Sequence, residues 1–477
     1  MVRVLSALVL SVVAALPTAP PAGPVEAVID QEMPASGVPG VAYAVVTDGE
    51  ITAAGARGVM EAGGDAAVTP DTPFLSGSIS KSFTALAVMQ LVEAGRVDLD
   101  APVSRYLDTF TGTPAGVVTI RQLLSHTSGF STLQGNADRG ASEAYESDGT
   151  DALQRRVQAL ADVAPDSPPG TTWQYSNLNY VILGRLVEVL SGQDYQSYVT
   201  AMILEPVGMT HSVVADGEVH DSMATGHTPW FWTKRPLTGN PTDRGTAPQG
   251  GIVASATDLA RYLQMMMNGR DDVVSAASKT MMMQPAGDLS PFYGFGWFVD
   301  TADGTVWHSG TSPGFESLAT MIPDEGKAAV VLVNGGSGVG FGETAQLRNA
   351  VTAAALGMDY DGEGSRLPQQ LLFLGLLLLP LAYLVSMVWA WRHRGAVRAK
   401  SEAGLPGLFS LWFPLLTTVV AGWVVVALVP DLLGAPLATI RVFQPDLALA
   451  LVATALTGVI WAVFRLVVAY TGRPASG

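Results

Sequence analysis

Ser78-Ile79-Ser80-Lys81, followed by the apolar positions Phe83, Leu86, Val88, Met89, Leu91 and Val92 and stopped by Gly95, is the stretch on which the fold turns. That spacing predicts an amphipathic helix over residues 80–94. A serine just before the helix then shares a face with the lysine three residues on. A serine hydroxyl is a weak nucleophile without a nearby base, and a partly buried ammonium beside other cations can lose its proton and act as one. The helix N-terminus adds a positive partial charge. An ordinary helix cap at Ser78 fits the same letters.

Two more clusters lie outward from it. Tyr175-Ser176-Asn177 follows the loop Ser167-Pro168-Pro169-Gly170 and opens a helix over residues 177–190 that stops at Gly192. A phenol on a rigid turn can relay a proton, and the neighbouring amide can hydrogen-bond Lys81 or a substrate carbonyl. A capping Ser176 or Asn177 with Tyr175 in the core is the plainer alternative. His308-Ser309-Gly310 ends a predicted strand. A glycine there offers backbone N–H groups to a carbonyl oxygen, and a lone histidine, with an ordinary pKa of about 6.5, is mostly neutral near neutral pH.

Strand signals flank these clusters. Residues 41–46 and 51–54 enclose Asp48-Gly49, residues 294–299 and 305–308 enclose Asp303-Gly304, and residues 317–322 and 328–333 enclose Pro323-Asp324-Glu325-Gly326. Each reads as a hairpin. The middle is helical, including residues 258–267 behind a Ser255-x-x-Asp258 cap. The fold class is therefore α+β over residues 24–357: one antiparallel sheet built from both ends of the domain, flanked by helices and carrying a helical insertion.

The order Ser-x-x-Lys, Tyr-x-Asn, His-x-Gly resembles the serine β-lactamase and penicillin-binding protein superfamily, in its branch of class C β-lactamases, D-alanyl-D-alanine carboxypeptidases and esterases. Leu123-Leu124-Ser125-His126-Thr127-Ser128-Gly129, Glu205-Pro206-Val207-Gly208-Met209 and Gly250-Gly251 extend the resemblance over residues 25–351. It implies a β-lactamase-like sheet of five or more strands and an acyl-enzyme mechanism with no cofactor and no metal. It further implies Ser78 as nucleophile, Lys81 as its base partner, and Tyr175 as the group that protonates the leaving group and activates the deacylating water. Asn177 would hold Lys81 and contact substrate, and the backbone N–H groups of Ser78 and Thr311 would form the oxyanion hole. His126 is expected to stabilise its loop. Where β-lactamases and carboxypeptidases carry Lys-Thr-Gly, this chain has His308-Ser309-Gly310, which favours an ester or small amide substrate, cell-wall-related or built on a D-amino acid, over a β-lactam. A β-lactamase, a carboxypeptidase, or a slow acyl-enzyme sensor signalling through the membrane are the alternatives. Met265-Met266-Met267 and Met281-Met282-Met283 read as core or as an apolar acyl pocket, and His211, His220, His227 and His393 lack zinc-ligand spacing.

Charge divides the chain in two. The 477 residues are 48% hydrophobic and 14% charged, with no Cys and a net charge of −16. Residues 366–477 hold eight basic and three acidic side chains, net +5, which leaves 18 basic and 39 acidic before them, net −21. The acidic part is a poor nucleic-acid binder, and without cysteine there is no disulfide framework or thiolate nucleophile. Three uncharged stretches, residues 371–391, 405–430 and 447–470 (the last charged only at Arg465), are long enough to span a membrane. Tyr383, Trp389, Trp391, Trp412, Trp423, Trp461 and Tyr470 lie mostly toward their ends, and residues 358–370 form a linker. Residues 1–23, a charged start and a short apolar run, read as a signal peptide. Arg392, Arg394, Arg398 and Lys400 between the first two spans predict a cytoplasmic loop, a cytoplasmic tail over residues 471–477 and an extracytoplasmic main domain in a multi-pass cell-membrane protein.

Overall fold

The computed structural model describes residues 23–137, 149–240, 242–432 and 434–471. Nearly all of the signal-peptide and tail segments therefore lies outside the described residues. Six strands form the main sheet: β1 (Gly40–Thr47), β2 (Glu50–Gly58), β3 (Phe298–Asp300), β4 (Thr305–Ser312), β5 (Phe315–Ile322) and β6 (Lys327–Val333). Their order is β2-β1-β6-β5-β4-β3, all antiparallel, with Val41 opposite Val333 where the two ends of the domain meet. β3 is shorter than residues 294–299 suggested and starts later. β4 runs on past His308 because pairing continues, Ser309 to Leu318 and Gly310 to Ser317. His308-Ser309-Gly310 thus lies inside a strand.

Alternation of side chains along a strand sorts the two faces. Five helices matter for the site: α1 (Pro24–Ser36), α2 (Ser80–Glu93), α3 (Asn177–Ser191), α4 (Ala256–Met267) and α5 (Ala345–Leu356). Val41, Tyr43, Val45, Val331 and Val333 face α1 and α5, packing with Ile29, Leu347 and Val351. Ala42, Ala44, Val46, Val330 and Leu332 face the larger core that holds α2, α3 and α4. Full burial of a Val, Leu or Ile contributes roughly 1.5–3 kcal/mol, so these two layers are the main stabilising element of a domain without disulfides.

The sequence predicted α2 to be amphipathic, but every residue from Ser80 to Met89 is buried. The polar side chains on its hidden faces are satisfied internally. Ser80 Oγ accepts the Ile252 N–H at 2.8 Å, Ser82 donates to Ile79 O at 2.8 Å and Thr84 donates to Pro248 O at 2.7 Å. Short hydroxyls let a helix with Ser and Thr at three positions sit in the centre of a core.

After the domain come α6 (Leu367–Arg392), α7 (Arg394–Glu402), α8 (Gly404–Trp423, prolonged to Leu432), α9 (Leu437–Phe443) and α10 (Pro445–Tyr470). Three helices of 26, 29 and 26 residues are long and apolar enough to cross a membrane, since about 1.5 Å per residue exceeds a roughly 30 Å hydrocarbon core. α6 starts inside the expected linker, with Pro368 in its first turn, a position where the missing N–H costs nothing. The two ends of the bundle differ. At one end α7 packs on α10, with Arg398 donating to Val468 O. At the other, Ile440 and Leu447 pack with Phe231, Val339 and Phe341 of the globular domain, and Asp446 accepts the Phe231 N–H at 2.7 Å.

Candidate active site

Ser78 sits in the single turn Gly77–Ile79 that leads into α2. β4 is pressed against this turn. A Cβ on Gly310 would lie 1.9 Å from Ser76 O, and one on Gly77, whose φ is +55°, would lie 2.5 Å from the Thr311 nitrogen. Both positions require glycine, and their contact sets the Thr311 backbone beside Ser78. Ser76 anchors the turn from the other side through Ile252 O at 2.7 Å.

Lys81, the second residue of α2 and about one turn beyond Ser78, is completely buried. Its Nζ lies 3.0 Å from Ser78 Oγ, 2.8 Å from Asn177 Oδ1 and 2.8 Å from Gln249 O. Burial pushes this ammonium well below the usual lysine range, with no carboxylate among the described residues acting against it. The Tyr175 ring lies 4.9 Å from the same nitrogen. Burial raises the Tyr175 phenol above its ordinary range, opposed by the Ser78 hydroxyl beside it, and the phenol oxygen is buried without a completed hydrogen bond. Environment therefore moves two titratable groups around one serine in opposite directions, toward a neutral amine and a protonated phenol.

The loop around His126 holds Tyr175 and Asn177 in place. His126 Nδ1 accepts the Ser176 N–H at 3.1 Å and the Asn179 amide at 3.0 Å, and His126 O accepts the Gln174 N–H at 3.0 Å. Burial, then the charges of Lys81 and His308, hold this imidazole well below its ordinary value. Nδ1 must stay unprotonated to accept both bonds, which suits the loop-stabilising expectation.

His308 is brought near but is withdrawn from the cleft. It is buried, Nδ1 donates to Ser309 O at 2.6 Å and Nε2 accepts from the Tyr293 hydroxyl at 3.3 Å. Burial, then the charge of Lys81, pushes its pKa down to about 3. No fixed cation stands at this strand position. Of the methionine stretches, Met265, Met266 and Met282 are in the core, Met267 and Met283 pack against it, Met281 is exposed, and none lines the cleft.

A cleft of about 220 Å3 opens in front of Ser78, lined among others by Leu75, Asn177, Gln249, Thr311 and Arg156. Sequence reasoning missed Asn136, whose Oδ1 accepts from Asn177 Nδ2 at 2.9 Å, as well as Gln249 and Arg156. Gln249 adjoins the Gly250-Gly251 signpost and was within reach; nothing local marks Asn136. Among the described residues, no group of three or more His, Asp or Glu side chains converges as a metal site would.

Residues 25–354 match the Beta-lactamase family. Penicillin-binding protein 4 of Amycolatopsis lactamdurans is 36% identical over 330 residues, 64% of this chain and 83% of that protein. The octameric penicillin-binding protein homologue from Pyrococcus abyssi superposes with a TM-score of 0.60 at 27% identity, over 70% of this chain and 77% of its own. The D-amino acid amidase of Ochrobactrum anthropi shares the fold, with a TM-score of 0.57 at 24% identity over 70% of this chain and 96% of its own. The match runs over nearly the whole globular domain, and the chain belongs to the Beta-lactamase family of serine hydrolases.

Proposed function

We propose that the protein is a membrane-anchored extracytoplasmic serine hydrolase that cleaves an ester or small amide through an acyl-enzyme on Ser78. The observation that carries this reading is the shell around Lys81. A neutral amine has two N–H donors and one lone pair, and Nζ meets two carbonyl oxygens, Asn177 Oδ1 and Gln249 O, and one hydroxyl, Ser78. The lone pair then receives the Ser78 proton as Oγ attacks the substrate carbonyl. The developing oxyanion faces the Ser78 and Thr311 N–H groups. The proton passes by way of Tyr175 to the departing alkoxide or amine as its bond to carbon breaks. Water then attacks the acyl-serine, the bond from the acyl carbon to Ser78 Oγ breaks, the water's proton returns to Oγ through the same pair, and a carboxylic acid departs with Ser78 regenerated. Asn177 positions Lys81, and His308 positions Tyr293 beside Tyr175.

The neutral, withdrawn His308 supports an ester or amide substrate over a β-lactam, because a β-lactam carboxylate would have to meet Arg156 and not a strand lysine. Sidedness rests on charge: the basic connection Arg392 to Lys400 lies at the bundle end away from the globular domain, which positive-inside logic assigns to the cytoplasm. The full-length protein is expected to turn over p-nitrophenyl butyrate, and Ser78→Ala to lose at least about a thousandfold in kcat. Activity retained in that variant sinks the assignment. The hydrogen-bonded path from Lys81 through Asn177 and Asn136 to the membrane segment favours a second reading, a sensor acylated once and slow to release. A burst of acylation with no steady turnover would select it.

A further inference from the structure

The cleft in front of Ser78 is not closed by the globular domain alone. Ala438, Thr439, Val442 and Phe443 line it too, and all four belong to α9, the short helix joining the second and third spanning helices. Hydrogen bonds fix α9 there. The Thr439 hydroxyl donates to Asn136 O at 2.7 Å, and Asn136 Nδ2 donates to Gly434 O at 2.9 Å. The same Asn136 side chain accepts from Asn177, which accepts from Lys81. Four hydrogen bonds thus connect Ser78 to the membrane segment. The Asp446 contact with Phe231 and the packing of Ile440 and Leu447 hold the joint from below.

The depth of this wall is set by the chain. The second spanning helix ends at Leu432 and the third begins at Pro445, so α9 lies at the membrane surface, and three of its four cleft-lining side chains are apolar. A cleft that starts at a nucleophile and ends on apolar side chains at that depth suits a molecule that is itself half in the bilayer. We propose that the site takes an amphiphile at the membrane surface, an acyl ester or amide whose carbonyl reaches Ser78 while its apolar acyl chain passes Val442 and Phe443 toward the bilayer. This rests on the hydrolase reading above and adds the substrate class. A bilayer concentrates such a substrate beside the cleft, because each methylene of the chain favours the hydrocarbon.

The test uses the full-length protein in phosphatidylcholine vesicles, with p-nitrophenyl butyrate and p-nitrophenyl laurate as substrates and the ratio of their kcat/KM values as readout. This ratio does not depend on how much protein is correctly folded. Laurate is expected to be preferred by about tenfold or more, and Ala438→Trp and Val442→Asp each to lower the laurate-to-butyrate ratio by about tenfold, the scale on which a changed apolar wall discriminates. A preference for butyrate in the unaltered protein, or a ratio that neither substitution moves, overturns the amphiphile proposal and leaves the hydrolase intact. Failure of the unaltered protein to turn over either ester overturns the hydrolase reading and this proposal with it.

Discussion

Lys81 and Lys279 are both buried, at 0% and 1% exposure, yet the regions that bury them are chemically unlike. Lys279 donates to Asn268 Oδ1 at 3.0 Å and Arg270 O at 2.9 Å and forms an ion pair with Asp272. Burial works to raise the Asp272 carboxyl, and hydrogen bonds from Lys279, Asn268 and Val273 overcome it and leave it below the usual range. Lys81 has hydroxyl and carbonyl oxygens around it and no carboxylate partner among the described residues. A buried lysine given a counter-ion ties a turn together; one denied a counter-ion is pushed toward the neutral amine that the proposed mechanism needs as a base.

Methionine at each position breaks or sharpens this contrast. Lys81→Met is expected to lower kcat/KM about a thousandfold, as loss of a proton-transfer group does, while thermal unfolding shows no loss of stability. Its effect on stability has a defined sign with pH. The unfolded chain binds a proton at Lys81 up to about 10.5 and the folded one gives it up earlier, so this residue makes stability rise with pH through that window; the slope should flatten in the variant. Tyr175→Phe, which removes the proposed acid of the pair, is expected to cost about a hundredfold in kcat. Lys279→Met reverses the pattern, with kcat/KM within about twofold and stability lower by about 1–3 kcal/mol, limited because the Asp272 side chain it strands is 35% exposed. Equal losses of activity from both lysine variants would erase the distinction.

The smallest effect concerns histidine. His126 and His308 are both held below the ordinary imidazole range by burial, so the pH profile of kcat/KM should carry no limb near 6.5 that belongs to histidine. A limb there that His308→Gln removes would mean the imidazole meets solvent during turnover.

What the sequence made legible was local. Ser78 and Lys81 are three residues apart, Tyr175 and Asn177 share one turn, Gly192 ends α3 in a left-handed conformation, and the spans stand out by length. What it hid was contact between distant parts. Gln249 O reaches Lys81 across 168 positions and Asn136 reaches Gly434 across 298; the Gly250-Gly251 neighbour marks Gln249 as notable without announcing the meeting, and nothing local marks Asn136. Apolar spacing misread α2 because Ser80, Ser82 and Thr84, polar in composition, are satisfied inside the core. His308 shows the same limit: the letter marked the strand, but only the packing of Tyr293 and Ser309 O around both nitrogens showed it turned from the cleft.

The neutral Ser78–Lys81 pair is tested most directly by the pH dependence of Ser78 phosphonylation by a fluorophosphonate in the full-length protein, with the adduct located by mass spectrometry. The expected rate falls on the acid side with a midpoint well below 10.5 and collapses at every pH in Lys81→Met. Labelling of Ser78 at an unchanged rate and with an unchanged pH profile in that variant would contradict the account.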